Sequence, residues 1–164
     1  MTPTIRPATP ADGPTLYRAW QHMREHNATH DPRIILAPVS EAEFCAGLHE
    51  SLSRAGATTL VAESDGAIVG FVSASIVANT PDRLPERHVS IGYIFVEPAY
   101  RRAGIARALV DAVRAWAAKQ DGIQHLEMPV IAADRAAAAF WRAVGFTPFI
   151  ERLWAPLESP AAES

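Results

Sequence analysis

A basic turn of small residues lies between a predicted strand and a predicted helix, in the segment 96–106 (VEPAYRRAGIA). The residues 88–96 before it are rich in β-branched and aromatic types, which favours a strand, and the residues after it carry apolar side chains at helical spacing. Gly104 therefore stands at the helix start, where unpaired backbone N–H groups and the helix dipole attract an anion. Arg101 and Arg102 add positive charge at the same end. This pattern predicts a binding site for a phosphate group.

The turn belongs to a longer pattern. Its Arg-x-x-Gly-x-Ala spacing over 101–106, preceded by strand-x-Pro-x-Tyr, resembles the acetyl-coenzyme A signature of the GNAT acetyltransferase superfamily. The downstream segment 134–146 (DRAAAAFWRAVGF) is similar to that family's next helix, and a predicted hairpin over 60–72 falls where the family has its central hairpin. The resemblance extends over roughly residues 3–154. The glycine patterns of a P-loop or of a Rossmann turn do not occur in the sequence.

The resemblance implies an α/β (α+β) fold, with a mixed, mostly antiparallel sheet of six to seven strands, about four flanking helices and splayed central strands. We expect one acetyltransferase domain over residues 1–155 and a flexible tail over 156–164. The Ser-x-x-Glu pattern at 40–43 predicts a capping box at the start of the second helix. Strands are predicted over 123–131 and 146–153.

The resemblance also implies how acetyl-coenzyme A is held. Its pyrophosphate is expected on the backbone N–H groups of 101–106, and its pantetheine arm along the open strand edge at Phe95 and Val96. The Val96 N–H is expected to bind the thioester oxygen, where negative charge develops. Asp134 either caps its helix or contacts the cofactor. The expected cofactor set is Phe95, Val96, Arg101, Arg102, Ala103, Gly104, Ile105, Ala106, Asp134 and Trp141.

An amine with a pKa of about 10.4 is protonated at neutral pH, so it must lose a proton before it attacks an acyl group. Family members often carry a glutamate at the position of Ser90, and a serine cannot act as that base. Strand alternation predicts that His88, Ser90, Gly92 and Ile94 share one face. His88 is therefore the candidate base, acting directly or through a water held by Ser90. The alternative is that it is an exposed or structurally bonded histidine of the strand.

The remaining catalytic candidates are less well matched. Glu97 and Glu127 are weaker candidates for the base. Trp141 stands where the family often has a tyrosine that protonates the leaving thiolate, but an indole N–H donates a hydrogen bond and is not an acid. Trp141 is expected either beside the thioester or in the core. Tyr93 and Tyr100 are the nearby hydroxyls, and alternation predicts that Tyr93 faces away from Ser90.

Three histidines, His22, His26 and His30, recur at a spacing of four residues at the end of the first predicted helix. On a continuous helix they would form one stripe, which is compatible with metal ligation. The helix is predicted to end near His26, and the family needs no metal, so no metal ligands are expected. The stripe is expected to border the acceptor pocket.

Composition sets the remaining bounds. The chain has 164 residues, a net charge of −3 and 49% hydrophobic residues, which suits one globular domain and gives no reason to expect nucleic acid or a membrane as partner. The polar start and the single cysteine, Cys45, favour a reducing, cytoplasmic location. A homodimer is a further expectation.

The resulting hypothesis is transfer of the acetyl group of acetyl-coenzyme A to a primary amine of a small molecule, by direct attack in a ternary complex. One alternative is a non-catalytic domain that binds or senses acyl-coenzyme A, because Ser90 and Trp141 replace the family's glutamate and tyrosine. The other is an acetyltransferase acting on protein N-termini or lysines.

Overall fold

A computed structural model describes residues 3–157. The strands are β1 (Thr4–Pro7), β2 (Ala57–Ser64), β3 (Ala67–Ala78), β4 (Arg87–Val96) and β5 (Leu126–Glu127). The helices are α1 (Gly13–Ala28), α2 (Glu41–Ser53), α3 (Ile105–Ala117) and α4 (Arg135–Ala143). Of the predicted tail 156–164, all but the first two residues lie outside the described part of the chain, so the predicted domain boundary stays a prediction.

The strands form one sheet in the order β1-β2-β3-β4-β5, with parallel pairing only between β4 and β5. The mixed, mostly antiparallel sheet with four helices confirms the predicted fold class, but residues 3–157 contribute five strands where six to seven were expected. The predicted strand 123–131 is reduced to two residues, and residues 146–157 are irregular. Each of these segments contains a proline, Pro129 or Pro148, that cannot donate a ladder hydrogen bond.

The sheet is covered on both faces. Helices α1 and α2 pack on one face against Val61, Phe71 and Phe95. Helix α3 packs on the other face through Leu109 and Val110, which are fully buried, and α4 adds residues to the same cluster. Burial of such a side chain contributes about 1.5–3 kcal/mol, so these two clusters fix the sheet between its helices.

A β-bulge at Gly92 changes which β4 residues face which side. Tyr93 pairs with Ser73 and Ile91 pairs with Ala74, so Gly92 has no partner in the ladder. Cross-strand partners point to the same face, and the side-chain phase of β4 therefore shifts by one residue at the bulge. The prediction that His88, Ser90, Gly92 and Ile94 share a face is wrong beyond Ser90.

After the bulge, Tyr93 and Phe95 lie on the α1/α2 face together with His88 and Ser90. Ile94 packs into the α3 cluster on the opposite face. The prediction that Tyr93 faces away from Ser90 is also wrong, for the same reason. Alternation holds only where a strand contains no extra residue.

Strands β4 and β5 pair over two positions, Val89 with Leu126 and Ser90 with Glu127. Beyond Ser90, no described strand covers this edge of β4, so the two strands diverge from that point. The predicted splay of central strands is confirmed. An open strand edge presents unpaired backbone N–H and C=O groups.

Local signals place the helices. Ser40 Oγ accepts from the N–H of Glu43 at 3.2 Å, and the Ser40 N–H donates to the Glu43 carboxylate at 2.8 Å, which confirms the predicted capping box. Asp12 precedes α1 and binds the Arg6 guanidinium at 2.8 Å. That guanidinium holds the pKa of Asp12 down at about 2. The pair ties β1 to the start of α1.

Candidate active site

The predicted phosphate turn has the backbone of an anion-binding site. Arg102 and Gly104 have positive φ angles of 66° and 79°. Turns of this kind direct successive N–H groups into one concavity, and the first N–H groups of α3 continue it. A Cβ added to Gly104 would meet no atom within 4 Å, so the space in front of this glycine is open. The turn thus combines free N–H donors with room for a bound group.

The two arginines of the turn have different roles. Arg101 Nε donates to the backbone carbonyl of Val96 at 3.0 Å, which connects the turn to the end of β4. Arg102 is exposed beside the first turn of α3. Arg101 therefore helps to hold the shape of the turn, while Arg102 contributes charge at its mouth.

A cleft of about 1110 Å³ runs from this turn along the open edge of β4. Its far wall is the segment 128–131 and helix α4, and its near wall is β4 from Gly92 to Val96. Trp141 lines the cleft, is 4% exposed and packs edge-on against Phe146, so it is both a wall and a core residue. The residues expected from sequence to hold the cofactor line this cleft, apart from Ala103.

Asp134 lies at the same cleft but is held by the protein. Its Oδ1 accepts from the N–H of Ala137 at 2.9 Å, so it caps α4. Its Oδ2 lies 3.4 Å from His30 Nε2. Both carboxylate oxygens thus have protein partners, which favours the capping role over a cofactor contact.

Hydrogen-bond alternation identifies the free donors on β4. The N–H of Glu97 donates to the Val69 carbonyl at 2.9 Å, so Glu97 belongs to the pairs that are bonded to β3. In an antiparallel ladder the alternate residues point their N–H groups away from that partner. The N–H groups of Val96 and Ile94 therefore point to the open edge, into the cleft. Val96 was expected from sequence, whereas Ile94 was missed because its orientation depends on the register.

A second cavity of about 420 Å³ lies on the α1/α2 face of the sheet. It is lined mainly by apolar and aromatic side chains, with hydroxyl groups from Thr59, Ser73, Ser75 and Tyr93. Gly92 and Tyr93 line both this cavity and the cleft. The β-bulge is thus the point where the two spaces meet.

His88 is buried on this face and has a fixed orientation. Asn79 Nδ2 donates to the Pro85 carbonyl at 2.6 Å, which turns its Oδ1 toward His88 Nδ1 at 2.7 Å. Since that oxygen is an acceptor, Nδ1 carries the proton. His88 Nε2 then lies 3.5 Å from a carboxylate oxygen of Glu127. Both ring nitrogens are therefore directed at protein groups rather than at open space.

Glu127 lies beside Ser90 because the two residues are partners across β4 and β5. The other oxygen of its carboxylate contacts His125 Nε2 at 3.1 Å, and the His125 ring stacks on that of His88 at 5.5 Å. The family's carboxylate position at Ser90 is thus bordered by a carboxylate from the next strand. Sequence reasoning ranked Glu127 low because a two-residue strand gives no register signal.

The remaining candidates for proton transfer, Tyr93, Tyr100 and Glu97, differ in their position relative to the cleft and the second cavity. Tyr93 is 44% exposed at the junction of the two spaces, and Tyr100 is 40% exposed along the cleft. Glu97 lies at the end of β4 and lines neither space, and the same holds for His88, Ser90 and Glu127. His88 and Ser90 share the face of β4 that carries Tyr93, on the other side of the bulge. Tyr93 therefore has the better position of the two hydroxyls for chemistry at the junction.

The histidine stripe is only partly as predicted. Helix α1 runs to Ala28, and His30 continues its last turn by donating its N–H to the Asn27 carbonyl at 3.1 Å. His26 and His30 meet at 3.3 Å between their Nε2 atoms, and His22 is exposed outside this cluster. His26 borders the cofactor cleft, not the second cavity, so the expected position at the acceptor pocket is wrong.

The described residues thus combine a splayed sheet, a turn suited to an anion at the splay and a second cavity that meets the cleft at a strand bulge. The chain belongs to the Acetyltransferase (GNAT) family, whose model matches residues 16–146. This membership supports assignment to the acyltransferases. No helix among residues 3–157 is long and apolar enough to cross a bilayer.

Individual relatives agree with the family. The chain is 32% identical over 151 residues to aminoglycoside N(6')-acetyltransferase type 1 from Stenotrophomonas maltophilia, which is 88% of this chain and 86% of that protein. A tetramutant of the BH1408 protein from Bacillus halodurans has the same fold, with a TM-score of 0.81, 19% identity and coverage of 94% of this chain and 99% of that one. Aminoglycoside N-acetyltransferase AAC(6')-Iy in complex with CoA has a TM-score of 0.72, 20% identity and coverage of 96% and 95%.

Proposed function

We propose that this protein is an N-acetyltransferase that transfers the acetyl group of acetyl-coenzyme A to a primary amine of a small molecule, by direct attack in a ternary complex. The observation that carries the proposal is the shared wall of the two spaces. The cleft ends and the second cavity begins at Gly92 and Tyr93, so a thioester in one and an amine in the other would meet there.

The cofactor half follows from backbone donors. Of the N–H groups of 101–106 expected to bind the pyrophosphate, that of Arg101 donates to the Pro98 carbonyl at 3.3 Å, so those of 102–106 would bind it. The open edge of β4 would pair with the amide groups of the pantetheine arm. Binding of CoA by the relative AAC(6')-Iy supports this use of the cleft. Acetyl-coenzyme A is a substrate of this reaction, since it supplies the acetyl group and leaves as coenzyme A.

The reaction forms a C–N bond and breaks a C–S bond. The neutral amine adds to the thioester carbonyl, and the negative charge on oxygen is stabilised by the N–H of Val96, with the N–H of Ile94 directed at the same edge. The intermediate then expels the thiolate of coenzyme A. The amine's proton must be accepted, and the thiolate must gain one, before the products leave.

We assign the acceptance of the proton to the His88–Glu127 pair. Glu127 borders Ser90, the position at which the family often has its glutamate, and His88 is fixed behind it through Asn79. Ser90 shares the face of β4 that carries Tyr93, and its hydroxyl would hold a water between the amine and this pair. The Tyr93 hydroxyl at the junction is the candidate proton donor to the thiolate, a role that Trp141 cannot fill.

The lining of the second cavity narrows the acceptor. Trp20, Phe44 and Phe71 supply aromatic surface, and among residues 3–157 the charged side chain that lines this cavity is the basic Arg54, with no Asp or Glu. A polycationic acceptor would leave most of its ammonium groups without a carboxylate there, whereas an amine on an apolar or aromatic body would be desolvated at little cost. We therefore propose a primary amine with an apolar body, with the amine end at Tyr93.

Turnover measurements test the proposal. Release of free thiol from acetyl-coenzyme A would be followed with arylalkylamines, alkylamines, aminoglycosides and a lysine-containing peptide. The proposal expects the highest kcat/KM with an amine on an apolar body. Preference for the peptide would favour the protein-acetyltransferase alternative, and preference for an aminoglycoside would contradict the assignment of the apolar cavity to the acceptor.

One variant separates cofactor binding from turnover. Ser73→Phe fills the second cavity beside Gly92 and should remove turnover while coenzyme A still raises the melting temperature. Coenzyme A binding without turnover of any amine by the unaltered protein would support the binding or sensing alternative. The predicted homodimer and cytoplasmic location stay predictions.

A further inference from the structure

The end of α1 and the start of α4 bring two imidazoles and one carboxylate together. His26 Nε2 and His30 Nε2 are 3.3 Å apart, and His30 Nε2 is 3.4 Å from Asp134 Oδ2. All three ligand atoms lie within 4.8 Å of one another. The mechanism proposed above uses none of these three side chains.

The two separations from His30 Nε2 match those in a tetrahedral metal site. Ligand atoms about 2.0–2.1 Å from zinc stand roughly 3.3–3.4 Å apart when the angle at the metal is tetrahedral. The histidines are four residues apart on one helix face, a spacing that lets two imidazoles bind one ion. Two imidazole nitrogens with one carboxylate oxygen form a donor set suited to zinc and to neighbouring transition metals.

Ring orientation supports the same conclusion. The His26 and His30 rings are perpendicular, with centroids 4.9 Å apart. A metal must lie in the plane of each imidazole it binds, and two perpendicular planes share a line on which one ion can sit. Hydrogen bonding alone does not account for both contacts of His30 Nε2. A single N–H there can be directed at His26 or at Asp134 but not well at both.

The second histidine cluster provides an internal comparison. The His88 and His125 rings lie nearly parallel, at 13°, and are stacked. Stacked planes do not share a point at bonding distance from both nitrogens, so Glu127 there contacts the two rings through different oxygens, at 3.1 Å from His125 Nε2 and 3.5 Å from His88 Nε2. Of these two clusters, His26/His30/Asp134 has the ring geometry of a chelate.

We propose that His26, His30 and Asp134 form a binding site for a divalent transition-metal ion of the zinc class. A bound ion would join the end of α1 to the first residue before α4, and both helices line the cofactor cleft. The fourth coordination position is left for water. The site is independent of acetyl transfer, and its failure would leave the proposed function untouched.

The test uses tag-free protein, with Zn²⁺ binding measured by calorimetry and with Co²⁺ as a spectroscopic probe. We expect one ion per chain, a rise in melting temperature with Zn²⁺, and the visible absorption of tetrahedral Co²⁺. His26→Gln and His30→Gln should each weaken Zn²⁺ binding by more than about 10-fold, since even loss of a group behind a ligand costs about that much. Absence of Zn²⁺ binding at micromolar concentration would overturn the proposal.

The variants are chosen so that a folding defect cannot imitate the result. Asp134→Asn keeps a good helix cap while replacing the charged ligand, so it should fold normally and lose Zn²⁺ affinity. His22→Gln on the same helix and His125→Gln in the other cluster should retain full binding. Loss of Zn²⁺ binding in His125→Gln, with retention in His26→Gln, would place the ion elsewhere and reject the site.

Discussion

The proposed cofactor half and the proposed acceptor half of the site are built in different ways. The cradle is made from consecutive residues, mostly through backbone N–H groups, between the end of β4 and the first turn of α3. The acceptor half uses side chains from α1, α2, three strands and the loop that carries Asn79. The positions of backbone N–H donors depend on the conformation of a few consecutive residues and little on their side chains. A short sequence motif can therefore predict such a binding site.

The groups proposed to transfer protons depend instead on contacts between residues that are distant in the sequence. Glu127, His88 and Asn79 come from three separate segments, and their contacts exist only if each strand has its observed register. A shift of one residue in β5 would turn Glu127 to the other face of the sheet. We therefore expect substitutions in the cradle to abolish cofactor binding, and substitutions in the acceptor half to change rates while binding survives.

The largest effect is expected for Gly104→Glu. This change places bulk and negative charge where the pyrophosphate meets the backbone, so stabilisation by coenzyme A should be lost completely. The measurement is the melting temperature with and without coenzyme A, NAD or ATP; equal shifts from all three in the unaltered protein would refute the cofactor assignment.

Gly66→Glu is the matched control for that change. Gly66 has a φ of 77°, close to the 79° of Gly104, and a Cβ at either position meets no atom within 4 Å. The two variants share the backbone strain, but Gly66 lies in the β2–β3 hairpin. Stabilisation by coenzyme A should therefore survive in Gly66→Glu, and its loss would show that strain alone explains the cradle variant.

The next effect is expected for Glu127→Gln, which removes the carboxylate but keeps the size of the side chain. If the His88–Glu127 pair accepts the amine proton, kcat should fall about 100-fold or more while the KM for acetyl-coenzyme A changes little. His88→Ala should produce a loss of the same order. Near-normal turnover in both variants would remove the pair from the mechanism.

A rescue experiment sharpens this test. Because Ser90 and Glu127 are cross-strand partners, Ser90→Glu in the Glu127→Gln background puts a carboxylate back beside the same water position. We expect the double variant to recover at least part of the lost kcat. A double variant as inactive as Glu127→Gln would show that the orientation of Glu127 by His88 and His125 is needed as well.

A smaller effect is expected for Tyr93→Phe. A thiol with a pKa of about 8.5 is a tolerable leaving group even when water supplies the proton, so loss of the hydroxyl should lower kcat by about 10-fold. Tyr100→Phe, with similar exposure along the cleft, is the control and should be nearly neutral. An equal loss of kcat in the two variants would contradict the role of Tyr93 as the proton donor.

The parts of this molecule that sequence could predict are those with local causes. The Ser40 capping box, the β2–β3 hairpin and the Gly104 turn each depend on a few neighbouring residues, and all three are present. The bulge at Gly92 has a weaker signal, since an isolated glycine in a strand suggests a bulge but does not show that one is present. That bulge decides the position of Tyr93, and so the catalytic half was predicted less well than the cofactor half.

The contact of His30 with Asp134 could not be predicted from the sequence, because it depends on how two distant segments pack. Helical spacing correctly joined His26 to His30, but it also suggested His22 as the third member, and the structure supplies a carboxylate from a distant segment instead. The predicted number of strands was too high because two predicted strands contain Pro129 and Pro148. Their β-branched and aromatic neighbours favoured a strand, but a proline lacks the N–H that a strand ladder needs.

The smallest effect concerns the scaffold of the acceptor half. Asp12 accepts from Arg6 through both oxygens, at 2.8 and 3.1 Å, and Arg6 also binds Glu63, so β1, β2 and the start of α1 are joined. The Arg6 hydrogen bond lowers the pKa of Asp12 from 3.8 to about 2. A depressed carboxyl pKa stabilises the fold above the pKa of the unfolded chain, and this contribution is lost as the pH falls toward the folded pKa.

Asp12→Asn should therefore lower the free energy of unfolding by about 1–2 kcal/mol at neutral pH, after allowance for screening around the partly exposed Arg6. The difference from the unaltered protein should shrink between pH 4 and pH 2, in urea unfolding curves at each pH. Asp111→Asn removes an exposed pair with Arg114 on α3 and should cost less than about 0.5 kcal/mol. Since neither change touches the cradle, stabilisation by coenzyme A should persist in both; its loss in Asp12→Asn would mean that the two halves are coupled through β1 and that the contrast between them does not hold.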